Sequence, residues 1–417
     1  MSSYTDIART ERPLVPVSHD LFPLASTDLI EAGTAEVAEL LALFGQVADP
    51  RDPRGVRHGL ASILTVLVFA ALAGARTFRE AGDRVADLPP VLLAAADTRR
   101  DPRTGAPAPP SRDTIRRVVE DLDGQSADLL VGRWIADRAG RLRGEGGLDG
   151  VGLALDGKVV RNSGGGYANV TLFSAMVHGQ AVVIAQTLVP DGTNEITCVP
   201  ALLDPVEVAG VVVTADAAHC QDATAEYLTG RDARYVLTVK GNRKTLLKQV
   251  KALLGQVGLD DLDGCDGADH AEDDRGHGRR VRRAIWLVPA DGIDFPGAQR
   301  VFRIRREVRD TCGRLISKEI VHGITSLGIE QAAAEAVACW VRTHWGIENK
   351  IHWVRDVVFG EDAQHAYLGA AAQVMAMFRN LAIALLRLAG VTKITRTLER
   401  IAADRTRILP LLTASRS

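Results

Sequence analysis

The chain has 417 residues, 46% of them hydrophobic, and a formal net charge of −2. That is ample for a sizeable core and for more than one domain, and it excludes a global positive field as the means of holding nucleic acid, although local fields differ from the sum. The five cysteines, Cys198, Cys220, Cys265, Cys312 and Cys339, are odd in number and widely spaced, which fits free thiols in a reducing cytoplasm and excludes a CxxC zinc knuckle. Residues 1–33 are polar, proline-punctuated and aperiodic; they read as a disordered tail with no secretory signal. A helical pattern runs from Thr34 through Val37, Leu40, Leu41 and Phe44 and stops before the loop DPRDPRG. Leu60–Ala75 follows as an apolar helix closed by Gly74, shorter than the roughly 20 residues a bilayer span needs. Thr77 and Ser111 are N-cap candidates for TFREAGDRVADL and SRDTIRRVVEDL. Residues 34–125 thus read as a small all-helical domain. Arg116 and Arg117 on its last helix are candidate phosphate contacts.

The pattern then switches to strands. Gly152–Val160, Val170–His178 and Ala181–Val189 read as three, the last two joined by a hairpin turn at His178-Gly179-Gln180. Val211–Ala215 and Tyr235–Val239 are two more, separated by helical patterns in NEITCVPALLDP, Gln221–Leu228 and Asn242–Leu254. This order predicts a mixed α/β sheet. From Gly255 to Asp274 the chain is acidic and glycine-rich, after which RGHGRRVRRAIW and QRVFRIRREVR read as strands with a cationic face. Ten arginines between Asp274 and Arg309 suit a duplex backbone. Arg314–Ile324 adds a strand. A helix resumes after Ser326 and leads into Arg342–Asp362. There Ile347, Ile351, Val354 and Val358 form an apolar stripe, and His344, Glu348, His352 and Arg355 share the neighbouring face. Ala370–Leu388 is a further apolar helix, followed by a basic tail carrying Lys393, Arg396, Arg400, Arg405 and Arg407.

Three acids occupy telling positions. Asp156 interrupts the first strand, in LALDGK, where a carboxylate is costly unless paired or metal-bound. Asp216 follows VVVTA at the carboxyl end of another strand, where α/β sheets bind ligands. Glu348 is the third. Oxygen-only ligation by such a set suits Mg²⁺ or Mn²⁺, and two ions suit an in-line phosphoryl displacement. Glu361, after Gly360 and roughly 140° from Glu348 on a continuous helix, is a reserve acid. Lys158 and Lys240, each just beyond a candidate acid or strand end, are candidates to stabilise phosphate charge, and His277 in RGHGRR to touch a phosphate or backbone. No HExxH spacing supports zinc.

At these residues the sequence resembles the DDE transposases of bacterial insertion sequences, in the ISAs-type branch that contains the H-repeat-associated proteins. DPRGVRHGLASILTVLVFAALAGARTF is similar to that group's associated N-terminal segment. LALDGKVVR, TADAAHCQ, YVLTVKGN, RGHGRR, ITSL and HWGIENKIHWVRDVVFGED resemble its successive blocks, in order. The resemblance implies a ribonuclease-H-like catalytic domain over about residues 126–365, with a β-rich insertion at about 256–328, then C-terminal helices over 366–417. It implies that Asp156, Asp216 and Glu348 form a metal-binding DDE triad, with His344 at the group's basic position, where it departs from the pattern, and Arg355 at its lysine position. It also implies cleavage at element ends by activated water, and attack of the freed 3′-OH on target DNA. Expected partners are double-stranded DNA, as terminal inverted repeats and target, and further copies of the chain in the DNA complex. The expected location is the bacterial cytoplasm, with no membrane. Arg279 and Arg280, with the other insertion arginines and the N-terminal helices, are the candidates for end recognition. Two rival readings stay open: a structure-specific nuclease that cuts without joining, and a DNA-binding protein that no longer transposes.

Overall fold

The computed structural model describes residues 27–142, 148, 150–164, 169–255, 267–276, 278–366 and 368–415. Among the described residues six α-helices come first: α1 (Thr27–Phe44), α2 (Leu60–Leu72), α3 (Phe78–Ala86), α4 (Pro90–Ala95), α5 (Arg112–Asp121) and α6 (Gly124–Leu142). Then follow β1 (Gly152–Val160), β2 (Val170–Val177), β3 (Val182–Val189), α7 (Val199–Leu203), β4 (Val212–Ala215), α8 (Asp222–Gly230), β5 (Arg234–Val239) and α9 (Lys244–Leu254). Four long strands come next, β6 (His270–Gly276), β7 (Arg279–Pro289), β8 (Arg300–Asp310) and β9 (Leu315–Thr325), then α10 (Ala334–His344). Two π-helical turns, Ile347–His352 and Val354–Val358, lead to α11 (Ala371–Leu388), α12 (Ile394–Ala403) and α13 (Ile408–Ala414).

The chain divides into two compact units. One, the sheet unit, holds Leu148–Asp156 and Glu207–Gly346; the other, the helical unit, holds described residues of Pro13–Gly147, Gly157–Val206 and Ile347–Ser417. In the sheet unit the strand order is β1-β4-β5-β9-β8-β7-β6. β1, β4 and β5 are parallel and the remaining pairs antiparallel. β4 and β5 are short, β-branched and almost wholly buried, as parallel strands covered on both faces must be. Val212, Val236, Phe302, Val337 and Trp340 meet in its core, and α10 packs across β4 to β7.

The helical unit is built round α11. That helix is long and apolar enough to cross a membrane, but 94% of the span is buried inside the protein, which is how a core helix behaves. It packs on α2, α5, α6, α13 and β3, and its Ala372 and Ala376 sit against Val160 and Leu172. α2 is buried nearly all round and ends in a Schellman motif: Gly74 adopts φ +77, Ala75 N–H donates to Ala70 O at 3.0 Å, and Gly74 N–H to Ala71 O at 2.9 Å. The expected caps are present, Thr77 accepting from Glu80 N–H at 3.1 Å and Ser111 from Thr114 N–H at 3.2 Å. Buried Arg138 on α6 reaches Glu36 and Glu39 of α1 and Ser415 after α13, and lies 4.1 Å over the Trp134 ring.

Several expectations need correcting here. α6 was not anticipated, and α1 starts at Thr27, ahead of the expected Thr34. The helix expected to run unbroken through Arg342–Asp362 stops at His344 and continues as π turns. The acidic segment does not stand apart from the basic strands. Its end is itself a strand, β6, paired with β7 so that Glu272 faces Arg283 and Asp273 faces Arg282. Arg280 donates to Asp273 at 3.2 and 3.0 Å, and Arg283 lies 2.5 Å from Asp274 and 3.3 Å from Glu272. On β8, Arg300, Arg303 and Arg305 are buried. They donate to Leu327 O and Ala332 O, to His322 Nε2, and to Glu307 respectively. Much of the expected cationic face is therefore either paired with acids or turned into the interior. The glycine run at 164–166 lies largely outside the described residues, as does His277.

Candidate active site

The two strand-end aspartates belong to the sheet unit. β1 and β4 are paired in parallel with Leu155 opposite Ala215. Asp156 and Asp216 are the next residues on each, and neighbouring strands lie about 4.8 Å apart. Register thus carries both carboxylates to the same end of the paired segment. Asp156 is half-buried and Asp216 exposed. Asp216 caps the tight turn Ala217–His219, its Oδ1 accepting from Ala218 N–H at 2.9 Å. The turn is braced by Asn242, whose Nδ2 donates to Ala217 O at 2.6 Å. Exposed Lys240 sits just after β5. His344 at the end of α10 has its Nδ1 3.0 Å from the hydroxyl of Thr214, two residues before Asp216.

Glu348 lies in the helical unit, exposed on the first π turn. Its Oε2 is 3.5 Å from Nδ1 of buried His352. Burial lowers the His352 pKa, as do the charges of Arg355 and Lys158, while Glu348 works the other way. The ring is therefore neutral at pH 7 and keeps a nitrogen lone pair. π turns widen a helix locally and recur at functional sites.

Behind this turn is a buried ion cluster. Glu361 is 1% exposed. Arg355 donates to it from Nε at 3.1 and 2.9 Å, and Arg379 from Nη1 at 2.8 Å. Lys158 Nζ lies 2.6 Å from Asp356, 3.9 Å from Glu361 and 3.8 Å from Asp362. Burial alone would raise the Glu361 pKa, but Arg355, Arg379 and Lys158 outweigh it and hold the carboxyl at about 2. Three expectations change accordingly. Arg355 is fully buried against Glu361 and has no surface to offer DNA. Lys158, 7% exposed, is committed to acids rather than to phosphate. Glu361, the reserve acid, is neutralised by two guanidiniums and is not poised to hold a cation. Arg280 is tied to Asp273, Arg116 to Glu120 at 2.9 Å and Arg117 to Asp113 O at 3.2 Å, whereas Arg279 is exposed at the start of β7.

One neighbour of the first acid was not singled out. A Cβ on Gly157 would lie 1.9 Å from Glu195 Oε1, so the Glu195 carboxylate presses on the backbone immediately after Asp156. Only glycine permits that approach. The signal available in the sequence was the Asp-Gly step inside a strand, which marks a close contact.

Strand-end acids on neighbouring parallel strands are where a mixed sheet places its ligands. Comparison with known families identifies the class: the family described as Transposase DDE domain matches residues 147–385, and its DDE_Tnp_1-associated companion matches residues 41–135. The first match covers more than half of the chain, which belongs to this family of DNA transposases. Among its relatives, the H repeat-associated YhhI of Escherichia coli K12, provisionally named a transposase, is 28% identical over 402 residues, 91% of this chain and 99% of that one. An uncharacterized protein in the dhlA 3′ region of Xanthobacter autotrophicus is 33% identical over 188 residues, 45% of this chain and 60% of that one. A solved piggyBac transposase synaptic complex with hairpin DNA aligns at a TM-score of 0.34 and 11% identity over 92% of this chain and 78% of that one, too distant to bear on the fold or the chemistry.

Proposed function

We propose that Asp156, Asp216 and Glu348 are the catalytic acids of this transposase and hold divalent cations, Mg²⁺ or Mn²⁺ and two in number, in a ribonuclease-H-like domain. The observation that carries this is the β1–β4 register, which sends Asp156 and Asp216 off the same end of neighbouring parallel strands. The donor chemistry fits: three carboxylates offer hard oxygen ligands, and the neutral His352 beside Glu348 adds a nitrogen that Mn²⁺ tolerates. When bound, the ions would supply Lewis-acid activation of water and neutralise charge on the reacting phosphate. The chain's own contribution is positioning. Asp216 is held by its capping bond, and Gly157 lets Glu195 close on the strand beside Asp156.

The reaction is hydrolysis at each element end, in which water attacks phosphorus and the 3′-oxygen leaves as a hydroxyl. That hydroxyl then attacks a target phosphodiester and displaces a target 3′-oxygen. The substrates are terminal inverted repeats and target DNA in the bacterial cytoplasm, held by a homo-oligomer, with exposed Arg279 and Lys240 among the DNA contacts.

The test is cleavage and joining of end-bearing DNA with Mg²⁺. Asp156→Asn should lose both by about a thousandfold or more, because the acid acts through several kcal/mol of charge stabilisation. Undiminished cleavage by that variant removes Asp156 from the site. Cleavage without joining of pre-cut ends by the wild type makes the protein a nuclease.

A further inference from the structure

A second site lies on the same helical run as Glu348 and wholly within the helical unit. Asn349, within the first π turn, and Trp353, just after it, line a cavity of about 350 Å³. Val354, Val358 and Ile394 give its lining an aliphatic part, and Arg387, Lys393 and Arg396 a cationic one. Three features of this cavity are out of the ordinary. Trp353 is 53% exposed, although a tryptophan usually hides most of its surface. Three cations line the cavity and no acid does, among the described residues. Arg387 Nε is buried with no hydrogen-bond partner among the described residues, so a donor is left over.

We propose that this cavity is a binding site for one unstacked nucleotide of a DNA strand, its base on the face of Trp353 and its phosphate at Lys393 and Arg396. The inference rests on the transposase reading above. Size selects a single nucleotide: the volume is that of a small-molecule pocket and cannot admit a duplex. The wall chemistry selects the rest. Every nucleobase has a π-face that stacks on an aromatic ring, and cations pair with the phosphate beside it. Lys393 and Arg396 stand at the start of α12, a ten-residue helix whose first turn has no side-chain cap, so its backbone N–H groups also favour an anion. Asn349 directly follows Glu348, which puts the site next to the residue proposed to work on the phosphodiester. A strand opened at the point of cleavage would present such a nucleotide.

The test uses the full-length protein and fluorescence anisotropy with a labelled single-stranded 12-mer and the duplex of the same sequence. Trp353→Ala should weaken single-strand binding about tenfold and change duplex binding less than about twofold. Trp353→Phe should keep most of the single-strand affinity. Arg396→Glu should weaken single-strand binding at least as much as Trp353→Ala, with a smaller effect at high salt. Unchanged single-strand binding in Trp353→Ala, or equal losses on single strand and duplex, overturns the site and leaves the transposase reading intact. A wild type that binds neither DNA overturns both.

Discussion

Replacing Glu361 by glutamine removes the one carboxylate that both Arg355 and Arg379 share. The substitution keeps the shape but turns one accepting oxygen into an amide donor, and it leaves two buried guanidiniums and nearby Lys158 with one anion fewer. The magnitude follows from the proton affinity. Glu361 goes from an ordinary 4.5 to about 2 in the folded protein, held there by Arg355 and Arg379 against the opposing pull of burial. At about 1.4 kcal/mol per tenfold change in affinity, the ionised group contributes about 3 kcal/mol. Loss of one partner from a buried pair costs a similar amount, about 3–5 kcal/mol. Because the folded pKa lies below the unfolded one, this contribution is complete above about pH 4.5 and disappears as the pH falls through about 2. Urea unfolding followed by tryptophan fluorescence between pH 7 and pH 2 reads both effects. Glu361→Gln should lower the midpoint at pH 7 and should flatten the acid-induced loss of stability. A variant within about 1 kcal/mol of wild type at pH 7, with the same acid slope, would refute the view that this carboxylate anchors the turn behind Glu348.

Asp128, buried and hydrogen-bonded by Gln186 and Gln373, is pushed up to about 7 by burial, against the pull of those bonds and of Arg355. An acid raised in the fold favours the protonated state, so its contribution is lost as pH rises from about 4 to about 7. Asp128→Asn should remove up to about 3 kcal/mol of that decline, measured as the difference in urea stability between pH 5 and pH 8. Gly157→Ala should collide with Glu195 and destabilise by about 1–3 kcal/mol, and adding Glu195→Ala should recover much of the loss; if the two changes are additive in thermal denaturation, the contact is not the cause. Neutralising Glu272, Asp273 and Asp274 to Gln, Asn and Asn should release Arg280 and Arg283. It should steepen the salt dependence of duplex binding by about one unit of log–log slope per new phosphate contact, read from filter binding across salt concentrations.

What could be read in the sequence was what local chemistry writes down. Thr77 and Ser111 were visible as caps because a capping bond spans three residues. The strands after Gly152 were visible because β-branched runs between turns have few other uses. Asp156 and Asp216 stood out because acids are expensive among aliphatics, although only register brings them to one end of the sheet. α6 was missed because its buried residues Ala127, Val131, Ile135 and Ala139 are modest in size and separated by charges. The cue was there in Asp123, whose carboxylate accepts from Gln125 and Ser126 N–H at 3.1 Å. The charge of the β6–β9 region was misjudged because it was counted along the chain, whereas neutralisation runs across the ladder, from Asp273 to Arg282. Arg355 was misplaced because a 3.6-residue period was carried through a segment that is π-helical, and because its partners Glu361 and Arg379 meet it only through packing.

α13 packs along α1, and Arg138 on α6 clasps both Glu36 and Ser415. The first helix described in the molecule is therefore completed by the last. During synthesis α1 gains α2 early, but the part of its cover that α13 supplies, with buried Leu409 and Leu412, comes only after several hundred more residues are made. The helical unit is a closed clasp whose catch is translated long after the helix it holds. A ribosome that stops even a dozen residues short of Leu412 releases a chain able to pair its strands yet unable to shut the unit that carries Glu348. Such a product would be a target for chaperones and proteases before it could meet DNA.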